Sequence, residues 1–311
     1  MASAYTDEQI TQYLDLIRLP EKYRPTSSYS PPKTLAFLTA LHTRQISTIP
    51  YENLCLHYAQ KKEIPLDPQL LYGKCIKNGR GGYCMEVSIF FYHVLRGLGL
   101  EAYMTGVRIR PRVGGVPQGD YMGWVHIVNI VTLDDGTKYM LDVAFGGDGA
   151  TKPIPLVDGQ ITPNIGTQEL RLVHDRIPQQ SSQSQRWWIY QYRNGVEKEW
   201  NSFYCFSETE FLHQDFEIMS YFASTSKQSF QTFKVLVVKF LRGESEDDEV
   251  YGKVMLVDGE VKINTDGKTR VAKMCRTEEE RIDALKEYFG ITLEKEEREG
   301  IKGMSTELSR K

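Results

Sequence analysis

The chain has 311 residues, 41% of them hydrophobic and 25% charged, which is enough apolar material for a sizeable core and room for two or three domains. A net charge of −3 and a pI of about 6.1 supply no basic field for nucleic acid or an anionic membrane. No apolar run approaches the roughly 18 residues that a membrane span needs, and the polar stretch Met1 to Gln9 has no signal-peptide core.

The first third reads as helical. Thr6-x-x-Gln9 is a capping box, and Ile10, Tyr13, Leu14 and Ile17 follow at helical spacing until Pro20. Pro31-Pro32 opens a second helix with Leu35, Leu38, Leu41 and Ile46 on one face, ended by Pro50. Asp67-Pro68 supplies the N-cap and first turn of a third, carrying Leu70, Leu71 and Cys75. Arg80-Gly81-Gly82-Tyr83-Cys84-Met85-Glu86 then leads into the apolar run Val87 to Leu98, a helix stopped by Gly97 and Gly99.

Strand signals follow. Tyr103 to Ile109, Trp124 to Thr132 and Thr137 to Val143 are rich in β-branched and aromatic residues. Trp187 to Tyr192 and Val196 to Cys205 form a predicted hairpin about Arg193-Asn194-Gly195. Two flexible loops, Arg112 to Asp120 and Gln179 to Gln185, lie between the strands. Ser207-x-x-Glu210 caps a predicted short helix, followed by Phe216 to Phe222. Strands are predicted at Phe230 to Leu241, Val250 to Val257 and Glu260 to Ile263, the last two joined by Asp258-Gly259. Thr277-x-x-Glu280 caps a final helix ending at Gly290, and the charged tail from Glu294 reads as mobile. The order is α+β: a helical region over 1–99, an antiparallel β-region over 100–206 and an α/β region over 207–311.

Five cysteines, odd in number and widely scattered, show no metal or redox spacing, which points to free thiols in a reducing cytoplasm. Cys84 is distinguished by its place at the first turn of a helix after a glycine turn. Backbone N–H groups and the positive helix end favour a thiolate there, and a thiolate is a strong nucleophile. Such a nucleophile needs a base, and the base needs an acceptor to fix its tautomer. His93 follows Cys84 by nine residues, about 900° of helix turn, and points to the opposite face. His42, His57, His174 and His213 have no acidic partner at a telling spacing and read as surface or ordinarily paired histidines.

His126 lies mid-strand in Trp124-Val125-His126-Ile127-Val128, where it either faces solvent or enters a site. Asp142 in the next strand decides between them through the turn Asp134-Asp135-Gly136. A three-residue loop with Gly136 left-handed pairs Leu133 with Thr137 and puts Asp142 on the face of His126, about 7–8 Å away diagonally. A two-residue loop sends the two side chains to opposite faces.

Taken together, these segments resemble the arylamine N-acetyltransferases. The matching residues are Arg80 to Glu86 with Ile49-Pro50-Tyr51-Glu52-Asn53-Leu54 upstream, then Trp124-Val125-His126, Asp142-Val143-Ala144-Phe145-Gly146 and Ser224-Thr225-Ser226-Lys227-Gln228-Ser229-Phe230. They run in the family's order from about residue 5 to residue 290. The resemblance implies a helical domain, a β-barrel domain and an α/β lid around a cysteine-protease-like Cys84–His126–Asp142 core. It implies ping-pong acyl transfer from acetyl-CoA through an acyl-cysteine to an arylamine, arylhydrazine or arylhydroxylamine. No cofactor or metal is bound, acyl-CoA is a co-substrate, and a cytoplasmic monomer is expected. Tyr51, Phe145 and Phe230 match amine-pocket positions, whereas Gly123, Lys227 and Ser229 match positions near coenzyme A. Ser88 stands where many members carry asparagine, and the two flexible loops are extra, so propionyl or malonyl donors remain alternatives to acetyl. A papain- or transglutaminase-like hydrolase uses the same three residue types in the same order and is the other enzyme class to test.

Overall fold

The computed structural model describes residues 2–26, 28–245 and 249–308. Helix α1 (Asp7–Leu16) starts as its capping box requires, with Thr6 Oγ1 accepting from Gln9 N and Gln9 Oε1 accepting from Thr6 N. Helix α2 (Leu35–Thr48) is capped by Thr34, not opened by the proline pair, and Leu35 faces solvent while Leu38, Leu41 and Ile46 are buried. Strand β1 (Tyr51–Glu52) and the single turn α3 (Cys55–Tyr58) follow. Helix α4 (Pro68–Tyr72) has its Asp67 cap and runs into a π-turn at Gly73–Lys77; Leu71 and Cys75 are buried, but Leu70 is exposed. Helix α5 (Cys84–Gly97) is buried on every side from Cys84 to Leu95, as its unbroken apolar run demands. Helices α1 and α4 pack against it.

The middle of the chain supplies β2 (Glu101–Ile109), β3 (Arg112–Val113), β4 (Val116–Pro117), β5 (Trp124–Thr132), β6 (Lys138–Leu141), β7 (Ile154–Pro155), β8 (Ile161–Pro163), β9 (Gln168–Asp175), β10 (Trp187–Asn194) and β11 (Asn201–Phe206). Eight of them form an antiparallel sheet in the order β7-β6-β5-β2-β11-β10-β9-β8, curled so that β7 comes back beside β9. Three details differ from the sequence reading. The loop at Arg112 to Asp120 contains the small β3–β4 hairpin. The return strand of the β10 hairpin begins at Asn201 and not at Val196, because Lys198 N–H closes a turn onto Gly195 O. Strands β7 to β9 carry short or mixed patterns: in β9 only Leu170 and Leu172 are fully buried.

In the last third the Ser207-x-x-Glu210 cap does not form. Residues 207–211 stay extended beside β2, held by Thr105 Oγ1 on Ser207 O and by Phe211 N–H on Met104 O. The ring of Phe211 fills the space over Gly106, where a Cβ would meet it at 2.4 Å. Helix α6 (His213–Thr225) therefore starts later, after Leu212, with Asp215 closing back on the Leu212 N–H. Phe230–Thr232 is a 3₁₀ turn rather than strand, since Asn53 clamps its neighbourhood by donating to Gln231 O and Lys234 O and accepting from Leu236 N. Strands β12 (Leu236–Arg242), β13 (Val250–Val257), β14 (Glu260–Thr265) and β15 (Lys268–Met274) join β1 in a second sheet, order β1-β12-β13-β14-β15. The N-terminal region thus lends this sheet its edge strand. Helix α7 (Glu278–Phe289) is capped by Thr277 and ends at Gly290 with φ +72°.

The charged tail is folded as far as Leu308, against the expectation of mobility. Helix α8 (Lys295–Gly300) packs so tightly on α3 that a Cβ on Gly300 would sit 1.9 Å from the Tyr58 carbonyl oxygen. Ile301 is buried, and Arg281 Nη2 donates to Thr306 O. No helix among the described residues is long and apolar enough to cross a membrane.

Candidate active site

Cys84 is the first residue of α5, and the turn before it is pressed against Pro50 and Tyr51. A Cβ on Gly81 would stand 1.7 Å from Pro50 O, and Glu52 N–H donates to Gly82 O at 2.9 Å. Only glycine lets the two backbones approach so closely. Below the turn lies a buried ion network. Arg80 reaches Glu52 at 3.0 Å and Glu297 at 2.9 Å, and Lys74 reaches Glu86 at 2.6 Å. Burial alone raises a carboxyl, yet the Arg80 and Lys74 charges hold Glu52 below the usual carboxylate range. Glu86, penalised by burial and facing Glu52, is pushed up despite Lys74, and its Oε2 accepts from Tyr83 N–H at the head of α5.

His126 and Asp142 meet because the β5–β6 turn has three residues. Leu133 N–H donates to Thr137 O, Gly136 has φ +82°, and Thr132 pairs with Lys138. Regular pairing ends at Leu141, and Asp142 then turns toward the imidazole, so that His126 Nε2 stands 2.9 Å from Asp142 Oδ2. The other carboxylate oxygen accepts from Ala144 N–H at 3.2 Å. The two side chains are 2% and 0% exposed. Nε2 being engaged, Nδ1 is the ring nitrogen left for the Cys84 side chain, which lies near enough to favour charge on the imidazole. The sulfur also lies 3.9 Å from Val125 O, on the same strand. Burial opposes charge on His126, but Asp142 foremost and then Cys84 outweigh it and lift the group to about 10.

This shift has a measurable consequence. A folded-state value above the ordinary 6.5 means that the folded chain takes up a proton the unfolded chain lacks, so the pair stabilises fully below about pH 6.5 and loses that contribution as pH rises toward about 10. Histidine NMR resonances are expected to show His126 protonated through pH 8. A titration centred near pH 6.5 would contradict the geometry.

The other expected positions divide. Tyr51 is buried beside Cys84, and its hydroxyl accepts from Gln231 Nε2 at 2.5 Å. Phe145 packs 5.1 Å from the His126 ring and edge-on at 4.8 Å to Phe203 and Tyr204. Phe230 is 40% exposed at the start of the 3₁₀ turn, which Ser229 caps through Gln231 N–H. Lys227 is exposed in the preceding turn, and a Cβ on Gly123 would meet nothing within 4 Å. The structure therefore brings Tyr51 and Phe145 onto the cysteine and imidazole, whereas Phe230, Ser229, Lys227 and Gly123 stand on accessible turns.

Sequence reasoning missed Gln231, which links Tyr51 to the 3₁₀ turn, and Lys74, which neutralises Glu86; neither carries a local signal. Two histidines read as surface or ordinarily paired prove to be paired in the interior. His42 and His57 are fully buried, bonded to Ala150 O and Thr306 Oγ1, and burial pushes both down to about 4.

Comparisons with known proteins bear on the family and the fold. A family model described as N-acetyltransferase matches residues 34–298. The N-malonyltransferase FDB2 of Fusarium pseudograminearum is 33% identical, with 96% of this chain and 92% of that protein aligned. Arylamine N-acetyltransferase 2 of Mesocricetus auratus is 27% identical over 84% of this chain and 89% of its own. Among solved structures, the arylamine N-acetyltransferase of Mycobacterium marinum in complex with CoA superposes with a TM-score of 0.75 at 23% identity, covering 95% of this chain and 99% of that one.

Proposed function

We propose, for a chain that belongs to the arylamine N-acetyltransferase family and is an acyltransferase, that Cys84, His126 and Asp142 carry an acyl group from a short acyl-CoA to an aromatic amine. The observation that supports this most is the buried 2.9 Å contact of His126 with Asp142, with the Cys84 sulfur 3.9 Å from the carbonyl of the neighbouring Val125. The Cys84 thiolate attacks the thioester carbonyl, the tetrahedral adduct expels the CoA sulfur, and imidazolium protonates it. The amine then attacks the acyl-cysteine, neutral imidazole takes the amine proton, and the thiolate departs. Sulfur replaces sulfur in the first half, so little free energy separates acyl-CoA from acyl-enzyme.

Tyr51, Phe145 and Phe230 would face the aryl ring, with Gly123, Lys227 and Ser229 toward CoA. The five cysteines are free, in keeping with a cytoplasmic enzyme, and it acts as a monomer. Acetyl is the donor that the family name suggests. Malonyl is the second reading, favoured by the N-malonyltransferase relative that aligns over nearly the whole chain.

Incubation with acetyl-, propionyl- or malonyl-CoA and no amine is expected to leave one acyl group on the intact protein, absent in Cys84→Ala. Intact-mass spectrometry reads both the adduct and the preferred donor. No adduct from any of the three, together with cleavage of peptide substrates, would place the chain with the cysteine hydrolases.

A further inference from the structure

Two cations from different sheets converge on the turn that follows Asp142. Arg112 opens the β3–β4 hairpin, and its Nη2 lies 2.8 Å from Asp148 Oδ2 while the guanidinium covers the Phe203 ring at 4.8 Å. Lys253, on β13, donates from Nζ to Gly147 O.

The turn joins this pair to the reacting groups. Phe203 meets Phe145 edge-on at 4.8 Å, and Phe145 lies 5.1 Å from the His126 ring, so an aromatic row runs from imidazole to guanidinium. From the other sheet, a Cβ on Gly147 would approach Met255 Sδ at 3.0 Å, and Met255 pairs with Val238, which pairs with Tyr51 beside Cys84. Lys253, two residues from Met255 along β13, shares its face.

The charges at this turn do not balance. Asp148 is a single carboxylate between two cations, and it is already held by Arg112. Burial lowers the Lys253 ammonium from its ordinary range, Asp148 offsets this only in part, and Arg112 adds to the depression. A half-buried lysine whose bonded partner is a neutral carbonyl gains from a second anion, and guanidinium beside ammonium suits a carboxylate.

We propose that Arg112 and Lys253 form a subsite for a substrate carboxylate, at the end of the aromatic row away from Cys84. The inference rests on the acyl-transfer reading and names what that site selects. Two substrates can present this group: the distal carboxylate of a malonyl donor, or an acid substituent on the arylamine.

The test is the ratio of kcat/KM for charged over uncharged substrates, measured in Arg112→Gln and Lys253→Gln. One arm compares malonyl-CoA with acetyl-CoA on an uncharged amine such as anisidine; the other compares 4-aminobenzoate with anisidine, using acetyl-CoA. Loss of a charge-assisted hydrogen bond predicts that one ratio falls about tenfold or more, and the arm in which it falls identifies the source. Lys253→Arg, which keeps the charge, is expected to retain most of the ratio, a result that a merely structural lysine would not give. Ratios unmoved in both arms, while Cys84 still acylates, overturn the subsite and leave the acyltransferase standing. Failure of every acyl-CoA to label Cys84 in the unmodified enzyme overturns both.

Discussion

Asp142→Asn is expected to lower kcat/KM by about 10³- to 10⁴-fold while the fold survives, the range seen when the carboxylate behind a catalytic histidine is neutralised. The wild-type carboxylate accepts twice, from His126 Nε2 at 2.9 Å and from Ala144 N–H at 3.2 Å. An asparagine of the same shape can keep only one of these acceptor positions, because its other atom is an NH₂ donor. If the oxygen stays on Ala144, the NH₂ faces His126 and forces Nε2 to accept, which moves the ring proton to the nitrogen facing Cys84. That tautomer cannot take a proton from sulfur or from the amine.

Loss of the negative charge also removes the interaction that, above all others, lifts His126 to about 10. The imidazolium would no longer persist at neutral pH, and the thiolate would lose its counter-ion. Alkylation of Cys84 by iodoacetamide at pH 7 should slow. Near-normal turnover in a folded Asp142→Asn protein would remove the carboxylate from the mechanism.

The parts of this site that were legible in the sequence are those fixed by short-range geometry. The glycine turn before Cys84 is read from four consecutive residues, and the structure supplies its reason in the contact with Pro50 O. The pairing of His126 with Asp142 follows from one turn length, since the register it sets carries along both strands. The Ser207-x-x-Glu210 cap fails for a different reason: pairing with β2 wins over a local helix start that has no hydrophobic face to bury. In the tail and just before it, charged residues hide Ile291, Leu293 and Ile301, which fill the core beneath the second sheet. The convergence of Arg112 and Lys253 has no sequence signature, because it depends on how two sheets meet around one turn.

Arg80→Met is expected to destabilise the fold by about 3–5 kcal/mol at pH 7. Glu52 is wholly buried, and Arg80 is 10% exposed; removing the guanidinium leaves a carboxylate in the interior with Lys74 as its nearest remaining compensation. Lys74 is itself bonded to Glu86, so it cannot move over without orphaning a second buried acid. Glu297, released from Arg80, is on the wetter side and adds little.

The loss has a defined pH dependence. In the wild type Glu52 is held below its ordinary 4.5, so it contributes stability above that pH and loses it on acidification through its folded value. Without Arg80, burial raises the same carboxyl above 4.5 in the folded chain, and the sign reverses: the variant is worst at pH 7 and recovers toward pH 4.5 as Glu52 takes up a proton. Urea unfolding of both proteins at the two pH values measures this directly. Adding Glu52→Gln to Arg80→Met should restore much of the pH 7 stability, since it removes the stranded charge. A penalty that is the same at both pH values, or untouched by the second change, would mean that Arg80 acts through packing of its stem and not as the counter-ion beneath the Cys84 turn.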